Sequence, residues 1–311
     1  MKAQVLNRFG DPDVFELTDV DSPAAGPGEV LVRVAVAAVN PLDAKIRSGA
    51  MSSVFPTPTP AILGSEIAGV VEATGADVTE PAVGERVVGF AASGGYAELV
   101  VTTPDRLAVV PSDLSLTRAA TIPTAAETAQ RALALIGVQP GETVVVNAAA
   151  GSVGSAAVQL LVSAGARVIG TASADNHDYV RALGATPVRY GDHLLDDLAS
   201  VAPHGVHAAL DAGGRGFVDQ ILGLVEPGRI VTIVDFAAGA KGVNVAAGNP
   251  FAIDAHTIAP VLDLAAAGDF ATEIAGVVPL ADIAEAHRLS ERGHLRGKLL
   301  VRVADIPGAN A

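Results

Sequence analysis

The stretch from Thr143 to Ala166 decides the fold, and it reads TVVVNAAAGSVGSAAVQLLVSAGA. The β-branched run Val144 to Val146 is typical of a buried strand, and the small residues around Gly151 and Gly154 are typical of a tight turn. Apolar residues at helical spacing follow the turn. Strand, glycine turn and helix in this order predict the phosphate-binding unit of a dinucleotide fold. There Gly151 lets the backbone approach a pyrophosphate, and Gly154 lets the helix pack against the strand.

The same uncharged stretch permits a second interpretation, as a membrane span, for which about 20 apolar residues suffice. Asn147, Gln159, several glycines and serines, and Pro140 just before the stretch all disfavour a span. The glycine motif is itself incomplete, since Ala149 stands where the motif has its first glycine. A second β-branched run, Arg167 to Thr171, ends about 20 residues past the turn and favours the dinucleotide fold.

Composition and charge limit the class of protein. The chain has 311 residues, which predicts one or two domains. It has no cysteine, which excludes disulfides and thiolate metal sites. Its first residues lead into a strand-like pattern instead of a signal peptide, so we expect a soluble cytoplasmic protein. The formal net charge of −14 argues against nucleic acid as a partner, because phosphate backbones need a basic surface.

The first 120 or so residues contain short strand-like runs separated by glycine and proline, which predicts a β-barrel-like domain. The predicted strands are 3–6, 30–39, 67–73, 86–90, 97–101 and 107–110. The repeated prolines at 56–60 predict an extended surface segment.

From Thr124 onward helices and strands alternate, which predicts a doubly wound parallel sheet. The predicted helices are 125–135, 153–164, 178–183, 194–200 and 216–224, and the predicted strands are 143–147, 167–171, 187–189, 206–210, 229–234 and 243–246. After a predicted helix at 254–266, the tail reads as strand, helix and strand at 274–278, 281–291 and 298–303. We expect this tail to rejoin the first domain, giving domains 1–123 with 253–311, and 124–252.

Six segments in this order and spacing resemble the medium-chain dehydrogenase/reductase superfamily, and within it the zinc-independent quinone oxidoreductase branch. They are Val39-Asn40-Pro41-Leu42-Asp43, Leu63-Gly64-Ser65-Glu66, Val83-Gly84-Glu85-Arg86-Val87, Gly94-Gly95-Tyr96-Ala97-Glu98, Ala148 to Gly154 and Gly293-His294-Leu295-Arg296-Gly297-Lys298. The resemblance implies an α/β protein with a GroES-like β-barrel catalytic domain and a Rossmann-type doubly wound parallel sheet domain, and it implies a homodimer.

The resemblance also bears on metal. Zinc enzymes of this superfamily place Cys, His and Cys at three positions that correspond to Asn40, Ser65 and Thr124. None of the three is a good zinc ligand, so we expect no metal site. Without a Lewis acid, simple alcohol dehydrogenation is disfavoured. Reduction of a substrate that already delocalises negative charge, such as a quinone or an activated enone, is favoured.

The second strand of the dinucleotide domain points to the cofactor. It ends in Thr171-Ala172-Ser173, without the acid that binds the ribose 2′-hydroxyl of NAD. The resemblance implies that Ser173, His177 and Tyr190 line a 2′-phosphate pocket, which favours NADPH over NADH. Nearby aspartates count against a strongly cationic pocket, and the alternative is that these polar residues only cap a helix. The expected cofactor-binding residues are Thr124, Thr128, Ala149, Gly151, Ser152, Val153, Gly154, Ser173, His177, Tyr190, Ala212, Gly213, Val234, Phe236 and Lys298.

Three residues are candidate catalytic groups. Asn40 can donate a hydrogen bond to a substrate carbonyl, and Asp43 can orient a neighbour or a water molecule. Tyr96 is a candidate phenol donor. The alternatives are that Asn40 and Asp43 are ordinary turn residues and that Tyr96 is a packed aromatic side chain. His204 and His207 have the spacing of metal ligands, but nothing around them is rich in carboxylates, and we interpret them as solvated loop residues.

These observations predict an NADPH-dependent reductase that transfers a hydride to a quinone or to the β-carbon of an α,β-unsaturated carbonyl. Two alternatives stay open. One is an enoyl-thioester reductase or a tailoring reductase of a biosynthetic pathway on the same fold. The other is a non-catalytic NADPH-binding protein, either a redox sensor or an RNA-associated member of the family, although the acidic charge disfavours RNA.

Overall fold

The computed structural model describes residues 1–91, 94–248 and 254–306. They fall into two units, which we call unit 1 (Met1–Pro123 with Pro250–Ala311) and unit 2 (Thr124–Asn249). The first division lies between residues 123 and 124, where the sequence places a domain boundary. The second boundary expected from the sequence, between residues 252 and 253, lies outside the described residues.

The N-terminal part of unit 1 contains mainly short strands, in agreement with the sequence pattern. The strands are β1 (Lys2–Leu6), β2 (Phe15–Asp19), β3 (Val30–Val39), β4 (Ala61–Ile62), β5 (Glu66–Thr74), β6 (Arg86–Phe90), β7 (Leu99–Thr102) and β8 (Leu107–Val109), with two helices, α1 (Pro41–Arg47) and α2 (Leu116–Ala119). The sequence did not predict α1, because Asn-Pro is as common in turns as at the start of a helix. A proline in the first helical position costs no hydrogen bond, since its N–H would have no partner inside the helix.

Unit 2 alternates helices and strands as the sequence predicts. Its elements are α3 (Pro123–Ile136), β9 (Thr143–Asn147), α4 (Ser152–Ser163), β10 (Arg167–Thr171), α5 (His177–Ala182), β11 (Thr186–Val188), α6 (Leu194–Val201), β12 (Ala208–Asp211), α7 (Phe217–Ile221), β13 (Ile230–Thr232) and β14 (Asn244–Val245). No helix in the described ranges is long and apolar enough to cross a membrane. The uncharged stretch from Thr143 is a five-residue strand followed by a twelve-residue helix.

The tail contains α8 (Ala259–Ala267), β15 (Ile274–Pro279), α9 (Ile283–Arg292) and β16 (Lys298–Arg302). The expected strand, helix and strand are therefore present. The helix expected at 254–266 is shorter, because Ala255–Ile258 form a 3-10 turn and the α-helix begins only at Ala259. Pro260 lies in its first turn, where the missing N–H costs nothing.

Unit 1 is built around β3, in a seven-stranded sheet ordered β15-β16-β3-β5-β6-β8, with β7 also paired to β3. One edge of β3 pairs with β5, and its other edge pairs first with β7 (at 30–33) and then with β16 (at 36–39). The tail is therefore part of the first unit's sheet, as the sequence predicts. A second sheet, β2-β1-β4, completes the described strands of this unit.

Unit 2 contains a six-stranded sheet in the order β11-β10-β9-β12-β13-β14, and every neighbouring pair is parallel. All five residues of β9 are buried, because helices cover both faces of such a sheet. The strand order reverses between β9 and β12. In open parallel sheets the crevice at this switch point, outside the carboxyl ends of the strands, is where ligands bind.

Candidate functional site

In unit 1, strand pairing brings three polar side chains to one end of β3. Asn40 directly follows β3. The two strands beside this end of β3 both begin there, β5 at Glu66 and β16 at Lys298. Ala38 is paired with Glu66, and Val39 is paired with Leu299, the residue after Lys298. The sheet register therefore places the side chains of Glu66 and Lys298 beside Asn40.

The amide of Asn40 has a defined orientation. The Lys298 ammonium donates a hydrogen bond to Asn40 Oδ1 at 2.6 Å and lies 2.6 Å from Glu66 Oε2. Asn40 Nδ2 in turn donates to Glu66 Oε2 at 3.1 Å. Glu66 and Lys298 are 0% and 3% exposed, so their charges are screened little by solvent and the pair strongly constrains the amide between them. One of the two Nδ2 protons faces Glu66, which leaves the second for another acceptor.

Asp43 and Tyr96 form the second half of this cluster. Asp43 is the third residue of α1, and its Oδ2 accepts hydrogen bonds from Asn40 N at 2.7 Å and from the Tyr96 hydroxyl at 3.1 Å. Burial raises the pKa of Asp43 to about 6, although these two donors and the charge of Lys298 oppose the shift. The turn expected from Asn-Pro and Asp is thus the N-terminus of a helix, closed by the Asp43 carboxylate.

Tyr96 is fully buried and its hydroxyl points to Asp43. Burial, and after it the negative charge of Asp43, raise the pKa of Tyr96 well above its usual value, so the phenol keeps its proton. Gly64 makes room for the ring, because a Cβ at that position would lie 2.6 Å from it. This geometry favours a Tyr96 that acts through Asp43 over one that donates directly to a substrate.

In unit 2, the turn after β9 and the first turn of α4 contain five of the expected cofactor-binding residues, which are Ala149, Gly151, Ser152, Val153 and Gly154. Ala148 adopts a left-handed conformation with φ of 59° at the start of the turn. A Cβ on Gly154 would overlap the carbonyl oxygen of Ala148, so the close packing of helix on turn requires glycine there. Gly151 is the N-cap of α4 and has no side chain to satisfy the first N–H groups of the helix, which suits an anion.

The end of β10 carries the expected 2′-phosphate residues. Ser173 Oγ accepts a hydrogen bond from the Asn176 side chain at 3.0 Å, and it does not cap the following 3-10 turn by accepting a backbone N–H. His177 begins α5, and its Nε2 is buried with no hydrogen-bond partner among the described residues. Tyr190 lies two residues past β11 and is 45% exposed. Because β10 and β11 are parallel neighbours, Ser173 and Tyr190 follow the same edge of the sheet.

The remaining expected cofactor-binding residues lie in four places. Thr124 and Thr128 are in the first two turns of α3, and Ala212 and Gly213 follow β12, while Val234 and Phe236 follow β13 with half-exposed side chains. Lys298 differs from all the others, because it belongs to unit 1 and its ammonium contacts Asn40 and Glu66.

Sequence reasoning missed four buried polar residues, each of which ends a parallel strand. Asn147, Thr171, Asp211 and Thr232 are the last residues of β9, β10, β12 and β13, and we call them the strand-end network. Thr171 Oγ1 donates to Asn147 Oδ1 at 2.6 Å, Asn147 Nδ2 donates to Asp211 Oδ1 at 2.8 Å, and Thr232 Oγ1 donates to Asp211 Oδ2 at 3.0 Å. A polar residue at the end of an otherwise apolar strand was the available signal. Glu66 was also missed as a site residue, although it lies in one of the segments that carry the family resemblance.

His204 and His207 are both exposed. His207 Nδ1 accepts a hydrogen bond from Thr143 N at 3.1 Å, so this side chain supports the start of β9. Within residues 1–91, 94–248 and 254–306, no group of three or more histidine, aspartate or glutamate side chains is arranged to hold a metal ion.

Comparison with known families matches both units. The model of the alcohol dehydrogenase GroES-like domain matches residues 26–112, and that of the zinc-binding dehydrogenase family matches residues 183–301. The crystal structure of the quinone oxidoreductase from Coxiella burnetii superposes with a TM-score of 0.86 at 30% identity, covering 98% of this chain and 99% of that one. The GroES-like unit and the Rossmann-like parallel-sheet unit that the resemblance implies are thereby confirmed.

Two curated relatives carry informative names. The NADPH-dependent alkenal/one oxidoreductase of Arabidopsis thaliana is 29% identical over 323 residues, which are 97% of this chain and 79% of that protein. The trans-enoyl reductase himH of Aspergillus japonicus is 35% identical over 198 residues, which are 57% of this chain and 56% of that protein. Other relatives are longer, and the chain spans 5% of the length of one and 49% of another.

Proposed function

Because the chain belongs to the quinone oxidoreductase branch of the medium-chain dehydrogenase/reductase superfamily, we propose that it is an NADPH-dependent reductase. Its substrate would be a quinone or an activated α,β-unsaturated carbonyl, to which it passes a hydride. The observation that carries the proposal is the oriented amide of Asn40. It stands at a position where zinc enzymes of the superfamily have a metal ligand. Lys298 and Glu66 fix its orientation, and one of its two Nδ2 protons remains available for a substrate oxygen.

The residues of unit 2 fit a bound dinucleotide. The turn after β9 has no side chain at Gly151 and Gly154, and the uncapped N-terminus of α4 offers N–H groups to a pyrophosphate. When bound, the nicotinamide supplies the hydride, and the task of the protein is to bind and orient.

The choice of NADPH over NADH is supported by the end of β10. Ala172 and Ser173 stand where an NAD-preferring fold has an acid, so nothing at that point repels a 2′-phosphate. His177 and Tyr190 follow the same edge of the sheet and are suited to contact the phosphate. The single hydroxyl proton of Ser173 remains available to the phosphate, since Oγ is the acceptor in its hydrogen bond with Asn176.

Asn40 would act on the substrate side by donating its second Nδ2 proton to the carbonyl oxygen. Negative charge develops on that oxygen as the hydride arrives, and a donor already in place stabilises it without reorganisation. The ammonium of Lys298 at Asn40 Oδ1 polarises the amide and makes its N–H groups better donors. Asp43, with a pKa of about 6, can take up and release a proton near neutral pH, and Tyr96 would orient its carboxyl group.

A second candidate function, reduction of an enoyl thioester, is favoured by the similarity to a protein named trans-enoyl reductase. An enone and an enoyl thioester both accept a hydride at the β-carbon, and both put negative charge on a carbonyl oxygen. The Asn40 geometry serves either substrate. A non-catalytic redox sensor, the third possibility, would bind NADPH and turn nothing over.

One experiment separates these functions. NADPH consumption is followed with 1,4-benzoquinone, an enone and a crotonyl thioester in parallel, at equal concentrations. We expect the quinone or the enone to give the higher kcat/KM. A clear preference for the thioester would establish the second candidate instead, and NADPH binding without consumption of any of the three would establish the sensor. The predicted homodimer and cytoplasmic location stay predictions.

A further inference from the structure

The strand-end network crosses four adjacent parallel strands at the edge of the sheet where ligands bind in such folds. We propose that it is a positioning device for the dinucleotide: it fixes the turns that follow β9, β12 and β13 in the shape that the cofactor needs, with Asp211 at its centre. The inference rests on the dinucleotide-binding part of the proposed function and is independent of the substrate.

The first turn is fixed by Thr171. Its hydroxyl accepts the N–H of Ala148 at 3.1 Å and donates its single proton to Asn147 Oδ1 at 2.6 Å. Because that oxygen is the acceptor, the NH₂ group of Asn147 must face the other way, toward Asp211. Ala148 has a left-handed backbone, which a non-glycine residue adopts only at a cost, so the bond from Thr171 stabilises the start of the glycine turn where it is least favourable.

The second turn is fixed by Asp211. Its Oδ1 accepts the N–H groups of Gly213 at 3.0 Å and of Gly214 at 2.7 Å, in addition to Asn147 Nδ2. The carboxylate is fully buried, and four hydrogen bonds compensate for its lost hydration. A Cβ on Gly213 would lie 2.9 Å from the Cβ of Ala148. The first and second turns therefore pack closely against each other.

The third turn is fixed by Thr232. Its hydroxyl donates to Asp211 Oδ2 at 3.0 Å and accepts the N–H groups of Val234 at 3.2 Å and Asp235 at 3.0 Å. Val234 is among the expected cofactor-binding residues, as are Ala149 and Gly213 in the first two turns. One chain of hydrogen bonds thus ends on backbone amides in all three turns.

Strand β9, which ends at Asn147 of the network, begins with a threonine that has no bond to these turns. Thr143 begins β9 and is buried, but its hydroxyl only accepts Arg167 Nε at 3.3 Å. Thr143 and Thr171 are therefore a matched pair of buried strand threonines on adjacent strands of one sheet. They differ in whether their hydroxyl is bonded to a turn at the ligand-binding edge.

The test compares Thr171→Val, Thr171→Ser and Thr143→Val by titration of NADPH, followed by its fluorescence, well below the melting temperature of each variant. Valine keeps the volume of threonine but leaves Ala148 N and Asn147 Oδ1 without a partner, and serine keeps the hydroxyl. With these two buried groups unpaired, the first turn is no longer held in the shape that the cofactor needs, so we expect Kd to rise at least tenfold in Thr171→Val. Thr171→Ser should stay within about threefold of wild type, and Thr143→Val should bind as wild type does.

Equal NADPH affinity of Thr171→Val and wild type would overturn the proposal and leave the network a purely structural feature, whatever happens to the melting temperature. Equal loss in Thr171→Ser would also overturn it, because the methyl group and not the hydroxyl would then matter. If Thr171→Val does not fold, Asp211→Asn replaces it. That variant keeps an oxygen acceptor for three donors, but it removes the negative charge and puts an NH₂ group in place of the acceptor of the Thr232 hydroxyl. Unchanged NADPH binding in it would refute the proposal.

The same titration separates this proposal from the proposed function. Wild-type protein that binds neither NADPH nor NADH would refute both. Wild-type protein that binds NADPH, together with a Thr171→Val variant that binds it equally well, would refute the network alone.

Discussion

Asn40 is the residue on which the proposed chemistry depends, because its amide is oriented by two buried charges and still has a proton to donate. We expect Asn40→Ala to lower kcat/KM for the carbonyl substrate about 10²-fold, the usual cost of losing one donor at a developing oxyanion. Its NADPH affinity should stay as in wild type, because the glycine turn and the end of β10, to which the proposed function assigns the dinucleotide, lie in unit 2. Asn7→Ala, which removes an exposed amide that bonds only Glu16 in the same unit, is the control. Wild-type turnover of Asn40→Ala would return Asn40 to a purely structural role at the start of α1.

Ser173 is the residue on which the proposed choice of cofactor depends. We expect Ser173→Asp to weaken NADPH binding at least tenfold, about 1.4 kcal/mol, because the carboxylate would repel the 2′-phosphate, and to affect NADH far less. Ser173→Asn has nearly the same size without the charge and separates repulsion from steric effects. Titration of both cofactors measures the two affinities. If wild-type protein binds NADH as tightly as NADPH, the assignment of this pocket fails.

How far single residues were predictable depended on whether their role is local. The glycine turn was predicted because its requirement is written into consecutive residues, Gly151 and Gly154. The partners of Asn40 were not, because Glu66 and Lys298 lie 26 and 258 residues away and meet it only through the pairing of β3 with β5 and β16.

At the scale of elements, the sequence predicted the parallel sheet of unit 2 well and α1 not at all. Apolar strands and helices of ordinary length have a clear period, whereas α1 has seven residues and begins at a proline that suits a turn equally. The strand-end network was missed for a related reason. Each member ends a strand in the sequence, but only the strand order places the four side chains in one row.

Helix α9 carries a pH-sensitive packing contact through His287. This side chain is fully buried and packs edge-on against Phe15, with 4.8 Å between ring centroids, and against Tyr96, with 5.9 Å. Burial, and after it the charge of Arg47, lower the pKa of His287 from 6.5 to about 3. Below pH 6.5 the imidazole therefore binds a proton in the unfolded chain but stays neutral in the folded chain. The contribution of His287 to stability is present above that pH and is lost as the pH falls toward 3.

We expect His287→Leu to remove this loss. Between pH 8 and pH 5 the free energy of unfolding should change by about 2 kcal/mol in favour of the variant relative to wild type. Asp43, whose raised pKa of about 6 acts in the opposite direction, is common to both proteins and cancels in the comparison. Urea unfolding at the two pH values measures the difference. A gap between variant and wild type that does not change with pH would contradict the buried, neutral state of His287.

At the scale of the whole molecule, the sequence and the structure describe two units with different tasks. Unit 1 carries the buried cluster of Asn40, Asp43, Glu66, Tyr96 and Lys298, and unit 2 carries the glycine turn and the strand-end network. The two-unit fold was predictable because each family segment is short but their order along the chain is specific. The substrate was not, because the residues that distinguish a quinone from an enone have no pattern of their own in the sequence.

The predicted metal independence concerns the whole chain, since a site for zinc would need ligands from more than one segment. The family resemblance implies that Asn40, Ser65 and Thr124 correspond to the ligand positions of the zinc enzymes, and the chain has no cysteine. We expect elemental analysis of the purified protein to find no stoichiometric zinc, and chelators to leave its activity unchanged. This prediction would be wrong if the protein contained about one zinc per chain and if chelators removed the zinc and the activity together.

The proposed reaction is transfer of a hydride from NADPH to an activated carbonyl substrate. It is tested with NADPH deuterated at the transferred position of C4, an enone as substrate, and mass spectrometry of the product. We expect one deuterium per product molecule, bonded to the former β-carbon, formed in step with NADPH oxidation and about 10²-fold more slowly in Asn40→Ala. NADPH oxidation that leaves no deuterium in the product, or a product labelled equally fast by Asn40→Ala, would contradict it.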